Sequence, residues 1–231
     1  MPTPLHEAWR DRFSRVRART TALVVAAHTA DVDEFIGTVV PVVLDAQRTI
    51  VSDTDAYLSL EAGLATGTST DPWGVDPERL IGAKARGVAL EDVYARNLRA
   101  TVGTFEGRMA REVATDMQLA ARSTAWVHTA GDPRIVGYRR VLGPGKNCGL
   151  CVAASTRRYK RADLNPIHAH CGCSVQPEYR EAPAPDVDQK FLDRLYARAG
   201  STRAKDLSRI KLSDAVTVVD TPELGPTLTA A

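Results

Sequence analysis

The chain has 231 residues, of which 44% are apolar and 25% are charged, so it is expected to fold as a globular protein rather than remain disordered. The net charge is only +2, but residues 138–180 concentrate eight lysines and arginines against two acidic residues. No apolar run approaches the roughly 20 residues of a membrane helix, and the arginine-rich start lacks the pattern of a signal peptide, which predicts a cytosolic protein without membrane contact.

Residues 5–66 are predicted to be helical, because apolar residues recur there at helical spacing. Asp31 is expected to cap a new helix start, with Glu34 three residues later as in a capping box. Pro41 lies inside the following apolar stripe and is expected to kink or interrupt the helix. A loop is predicted over residues 63–77, which are rich in Gly, Thr, Ser, Asp and Pro.

A second helical block is predicted after this loop, with Asp76 as a cap and Pro77 in the first turn. Residues 98–129 are expected to form one long helix with a single apolar stripe. The stripe includes Met109 and Met117, whose flexible side chains suit an adaptable protein interface. Two interpretations of this helix stay open, namely burial in a bundle core and docking on a large assembly.

The character of the sequence changes after Gly131-Asp132-Pro133, which ends the helical region. The elements predicted beyond it are short strands at 135–142, 157–161 and 174–179, a linker at 181–187, a short helix at 191–199 and an extended tail. The fold class is predicted to be mainly α, with a small α+β zinc-knuckle-like domain. The predicted domains are a helical domain at 1–132, a Cys/His knuckle at 133–180, and a linker, helix and tail at 181–231.

All four cysteines fall in the basic stretch, in Cys148-Gly-Leu-Cys151 and in His168-Ala-His-Cys171-Gly-Cys173. The spacing of these two clusters is typical of structural zinc sites, and Cys-x-x-Cys is expected to form a tight turn. The candidate metal ligands are Cys148, Cys151, His168, Cys171 and Cys173. Cys171 and Cys173 compete for one position, and His170 is the weakest candidate. Two disulfides or four buried thiols remain alternatives to zinc.

Basic residues and tyrosines flank the two cysteine clusters. The candidates for phosphate contact are Arg139, Arg140, Arg157, Arg158 and Lys160. Tyr138 and Tyr159 are interleaved with them, and such a patch is the electrostatic footprint of nucleic acid binding. Strand alternation means that not all five can face one ligand. An acidic protein surface is the alternative partner, because charge alone does not identify one.

The order of these motifs resembles the phage Mu F-like minor head protein family, also called head morphogenesis proteins, in the form found in phages of actinobacteria. The residues that carry the resemblance are Val136-Gly-Tyr-Arg-Arg-Val141, Asn147-Cys-Gly-Leu-Cys151, Arg157-Arg-Tyr159, Ile167-His-Ala-His-Cys-Gly-Cys173 and Gln176-Pro177. The resemblance covers residues 135–179. His170 departs from the family pattern, in which a residue that is not a ligand precedes this cysteine.

The resemblance implies a minor capsid component of a tailed phage, made in the host cytoplasm and retained in the virion head. Its implied partners are the portal and capsid proteins, with viral DNA as a further contact, and no small-molecule substrate. No enzymatic activity is implied. A capsid maturation protease acting on scaffold or capsid protein is the alternative, although the sequence contains no Gly-x-Ser-x-Gly motif.

His6, His28 and His128 are each alone on a helix and are expected to have no ligand role.

Overall fold

The structure is a computed structural model that describes residues 3–143, 149–155, 158–159, 173–179, 189–203, 206, 216–221 and 225–230. The chain divides into two compact units, residues 1–134 and residues 135–231. The predicted boundary after residue 132 lies two residues before this division. The predicted knuckle and tail fall together in the second unit, and the predicted linker at 181–187 lies outside the described residues.

The described chain is mainly helical, as the sequence predicted. The first unit contains α1 (Pro4–Ala26), α2 (Val32–Thr66), a 3-10 turn (Pro77–Arg79), α3 (Ala83–Arg86), α4 (Leu90–Arg99) and α5 (Phe105–Gly131). The second unit contains β1 (Gly137–Val141), α6 (Gly149–Ser155), β2 (Arg158–Tyr159), β3 (Ser174–Glu178), α7 (Gln189–Ala199), β4 (Val216–Thr221) and β5 (Gly225–Ala230).

Helix α2 begins where the sequence predicted. The carboxylate of Asp31 accepts hydrogen bonds from the backbone N–H groups of Asp33 and Glu34, at 2.9 and 3.1 Å. The predicted interruption at Pro41 is wrong, because α2 continues through it. The proline leaves the carbonyl of Gly37 without its helical donor, but both residues are exposed and water can reach that carbonyl.

The loop after α2 starts later than predicted. Helix α2 runs to Thr66 and ends at Gly67, whose left-handed backbone has a φ of 69°. Gly63 therefore lies inside the helix. A Cβ atom at Gly63 would lie 2.5 Å from the Thr70 side chain and 2.6 Å from the carbonyl oxygen of Ser69. Gly63 thus makes room for the returning loop instead of breaking the helix.

The predicted single helix over residues 98–129 is wrong at its start. Helix α4 ends at Arg99, and α5 begins only after Gly103, whose φ is 75°, and the N-cap residue Thr104. The guanidinium of Arg108 donates hydrogen bonds to three carbonyl oxygens of α4 and this turn, at 2.6 to 3.4 Å. Val102, which the prediction placed inside the apolar stripe of a helix over residues 98–129, lies in this turn and is 83% exposed.

The core of the first unit forms where α2 packs against α1, α4 and α5. Its fully buried members include Phe35, Val39, Val43, Ile50, Met109, Val113, Met117 and Ala120. Because both methionines of α5 are buried in this core, their interpretation as an adaptable docking surface is wrong. The bundle-core interpretation of α5 is the one that the packing supports.

Helix α2 has the length and apolar character that a helix needs to cross a membrane, which the sequence prediction did not anticipate. Within the first unit, one side of this helix is buried from Phe35 to Ala62 against the neighbouring helices. The same length and composition are ordinary for the central helix of a bundle.

Asp55 on α2 is buried and joins three parts of the first unit. Its carboxylate accepts hydrogen bonds from the backbone N–H groups of Trp73, Gly74 and Val75, at 3.2, 2.9 and 3.0 Å. One carboxylate oxygen also lies 2.6 Å from Nε2 of His128 on α5. The indole of Trp73 stacks on the His128 ring, with centroids 5.0 Å apart. One carboxylate therefore holds the loop after α2 to both α2 and α5.

Asp116 on α5 is the second buried carboxylate that ties elements together. It accepts hydrogen bonds from Arg86 Nη1 at 2.5 Å and from the Tyr94 hydroxyl at 2.9 Å. Burial raises the pKa of Asp116, although Arg86 acts in the opposite direction. Gln47 completes the cluster, since its amide donates to the Asp116 carbonyl and accepts from the backbone N–H of Gly82.

The second unit contains a three-stranded antiparallel sheet in the order β2-β1-β3. Tyr138 lies opposite Tyr159 and Pro177, and the next residue, Arg139, lies opposite Arg158 and Gln176. Helix α6 contacts β1. The tail, predicted to be extended, contains an antiparallel pairing of β4 with β5.

Replacing Asp55 with Ala should lower the free energy of unfolding of the first unit by about 3 kcal/mol, because several donors would lose their common acceptor. Chemical denaturation followed by circular dichroism measures this loss. Asp53→Ala is the matched control, since Asp53 pairs with the exposed Arg12 and such pairs contribute little. Equal losses in the two variants would contradict the role of Asp55.

His128 should make the first unit less stable in acid. Burial lowers the pKa of His128 from its ordinary value, although Asp55 and Asp132 oppose this shift and Arg134 adds to it. The unfolded chain therefore takes up a proton at His128 first, as the pH falls below about 6.5, and unfolding becomes easier by at most about 1.4 kcal/mol per pH unit.

The loss should continue until the pH reaches the lower pKa of the folded state. The measurement is the free energy of unfolding of wild type and of His128→Gln across this range. The variant should be less stable above pH 7, because the contact with Asp55 is lost, and should show a shallower slope below pH 6.5. Parallel slopes would show that His128 does not cause the acid sensitivity.

Candidate metal centre and basic surface

Two of the predicted metal ligands meet in the second unit. Cys151 lies in the first turn of α6 and is 1% exposed, and Cys173 immediately precedes β3 and is 5% exposed. Both belong to one buried cluster, against which Leu142 packs. The structure therefore brings together one cysteine from each half of the motif.

The remaining predicted ligands are Cys148, His168 and Cys171, and these three lie outside the described residues, as does His170. Within the part of the chain that is described, no group of three or more His, Cys, Asp or Glu side chains could hold a metal ion.

Helix α6 positions Cys151, and this differs from the prediction. A tight turn was expected across Cys-x-x-Cys, but the structure begins a helix at Gly149, so the motif leads into a helix. Ala153 and Ala154 on α6 are buried, and such small side chains allow close approach to the strands. The Tyr159 hydroxyl donates a hydrogen bond to the carbonyl oxygen of Ala154 at 3.0 Å, which ties β2 to α6.

Arg140 lies in the interior of the second unit. It is 4% exposed, and its Nη1 donates a hydrogen bond to Cys173 Sγ at 3.6 Å. Its guanidinium carbon lies 5.4 Å from the centre of the Tyr159 ring, within the range of a cation–π contact. This position corrects the expectation that Arg140 projects from an exposed phosphate-binding surface, because the residue shares the buried face of β1 with Tyr138.

Arg139 lies on the opposite face of β1 and is half-buried. Its Nη2 donates a hydrogen bond to the side-chain oxygen of Gln176 at 2.8 Å. The strand register places Arg158 directly opposite Arg139 on β2. The other predicted phosphate contacts, Arg157 and Lys160, lie outside the described residues.

Sequence reasoning missed the inner role of Arg140 and Tyr159, which it grouped with the surface residues. The available signal was the alternation along β1, which sends adjacent arginines to opposite faces.

The three histidines of the first unit each have a neighbour within the bundle. His6 Nδ1 lies 2.8 Å from the Tyr57 hydroxyl, and the His28 ring lies 4.1 Å from that of Phe105.

The arrangement in the second unit can serve two kinds of chemistry. The buried sulfur atoms of Cys151 and Cys173 are soft donors of the kind that zinc prefers. On the other face of β1, Arg139 carries a positive charge, and the strand register places the backbone of Arg158 opposite it. No family model, curated protein or solved structure matches the chain.

Proposed function

We propose that the chain is a minor head protein of a tailed bacteriophage, which acts with the portal and capsid proteins during head assembly. It is made in the host cytoplasm and remains in the virion. The first unit makes the protein contacts of assembly. The second unit contains a structural zinc centre and a basic surface that contacts packaged DNA.

The observation that carries this proposal is the presence of Cys151 and Cys173 in one buried cluster. These residues come from the two halves of the Cys/His motif on which the resemblance to head morphogenesis proteins rests. They lie beside β1, the strand that supplies the Tyr138-Arg-Arg segment of the same resemblance. Proximity of these segments supports the proposal more strongly than their spacing in the sequence does.

Zinc fits the described part of this cluster, because two cysteine sulfurs lie buried together and one of them already accepts a hydrogen bond from a cation. The four positions of a structural zinc ion would be supplied from Cys148, Cys151, His168, Cys171 and Cys173. When bound, zinc would cross-link α6 to the start of β3. Such a cross-link suits a small unit, whose core supplies little folding free energy.

The basic surface consists of Arg139 and Arg158, with Arg157 and Lys160 adjacent in the sequence. Phosphate groups are suitable ligands for this basic surface, because guanidinium groups bind them with paired hydrogen bonds. Few phosphates can contact so small a surface. Binding is therefore weak and independent of base sequence, which is sufficient inside a head where DNA is highly concentrated.

The maturation protease alternative gains no support from the residues that the structure describes. Among these residues, the two histidines with polar partners are His6 and His128, and both are fully buried in the bundle of the first unit. Copy number and integrity in the particle separate the two functions, because an assembly component persists whereas a protease of this class disappears during maturation.

Particles purified from a host that carries this gene should contain the chain in a few copies relative to the major capsid protein. Quantitative mass spectrometry should recover peptides from both units in mature heads, because an assembly component is not processed. A chain truncated after Arg134 should still co-purify with the portal protein encoded in the same genome. Loss of the intact chain from mature heads would contradict this assignment. So would the finding that only chains containing residues 135–231 bind the portal protein.

Changing Arg139 and Arg158 together to Gln should weaken binding to duplex DNA and flatten its salt dependence. The slope of log K against log salt should lose about 1 for each arginine that contacts a phosphate. Fluorescence anisotropy at several salt concentrations measures the slope. Arg96→Gln with Arg99→Gln is the control, since it removes the same charge from exposed positions of α4. If the control flattens the slope equally, net charge and not this surface binds DNA.

A further inference from the structure

Arg140 is a cation that the fold encloses next to the proposed ligands. Its Nη1 lies 3.6 Å from Cys173 Sγ, and its guanidinium lies over the ring of Tyr159. Arg140, Cys151 and Cys173 are all buried. The Tyr159 hydroxyl is hydrogen-bonded to α6, so the guanidinium contacts Cys173 directly and is linked through Tyr159 to the helix that carries Cys151.

A guanidinium keeps its positive charge in a protein and acts only as a hydrogen-bond donor. The face of a tyrosine ring attracts such a cation, whereas a neutral thiol is only a weak acceptor of its hydrogen bonds. A metal-bound thiolate is a stronger acceptor, since it carries negative charge.

We infer that Arg140 is a positioning residue of the proposed zinc centre, which holds the sulfur of Cys173 toward the metal by a charge-assisted hydrogen bond. The inference rests on the proposed function, and it assigns Cys173 a place among the four ligands. Ligands of this kind are oriented by partners outside the coordination sphere, and loss of such a partner typically weakens metal binding 10- to 100-fold.

The experiment uses the full chain and Co²⁺, whose absorption reports thiolate coordination directly. Arg140→Gln should lower the affinity for Co²⁺ by about 10- to 100-fold. It should also move the sulfur-to-cobalt charge-transfer band to longer wavelength, because a sulfur that loses a hydrogen bond gives up charge more easily. Arg140→Lys, which keeps the charge without the planar fork, should lie between this variant and wild type.

Arg194→Gln is the matched control, because it removes the same charge from an exposed position of α7 in the same unit. Its Co²⁺ affinity and band position should equal those of wild type. In wild-type chain loaded with NMR-active cadmium, a guanidinium proton of Arg140 should show coupling to the metal through the Cys173 sulfur. This second measurement decides the question if Arg140→Gln prevents the second unit from folding.

The outcomes separate the inference from the proposal beneath it. If wild type binds neither Co²⁺ nor cadmium, the zinc centre itself is wrong and the role of Arg140 fails with it. If wild type binds both metals, but Arg140→Gln matches Arg194→Gln and no coupling is seen, the zinc centre stands and only the role of Arg140 is overturned.

Discussion

The carboxylate of Asp55 is the constraint on which the first unit depends. A helix cannot by itself fix a loop that leaves its end, since the loop has few apolar contacts of its own. Asp55 fixes the loop, because its carboxylate accepts hydrogen bonds from three consecutive backbone N–H groups of that loop and also contacts His128 on α5. Two glycines complete the arrangement. Gly63 leaves space for the loop, and a Cβ at Gly131 would lie 2.4 Å from the Trp73 ring.

Periodicity and capping predict the long helices well, because each repeats its signal over many residues. The start of α2 at Asp31 and the buried stripe from Phe35 to Ile50 show this. The break between α4 and α5 is harder to predict, because Val102 fits the apolar stripe. Its exposure follows from the positive φ of Gly103 and from the carbonyl contacts of Arg108, which are tertiary features.

The candidate site could be predicted only in part for a similar reason. Motif spacing places Cys151 and Cys173 in one site, and the structure puts them in one cluster. Alternation separates Arg139 from Arg140, but it does not tell which of them is buried. The residues that share a face with each arginine do not decide this, since Tyr138 on the face of Arg140 and Val141 on the face of Arg139 are both apolar. Packing of α6 on one face decides the matter, and the sequence did not predict that helix.

Trp73 combines partial exposure, at 42%, with direct stacking on the fully buried ring of His128. The chain has three tryptophans, Trp9, Trp73 and Trp126, and all of them belong to the first unit. Excitation at wavelengths that only indole absorbs therefore gives fluorescence from the first unit and none from the second. The protein consequently has a built-in optical label, with which opening of the bundle can be watched separately from events at the cysteine cluster.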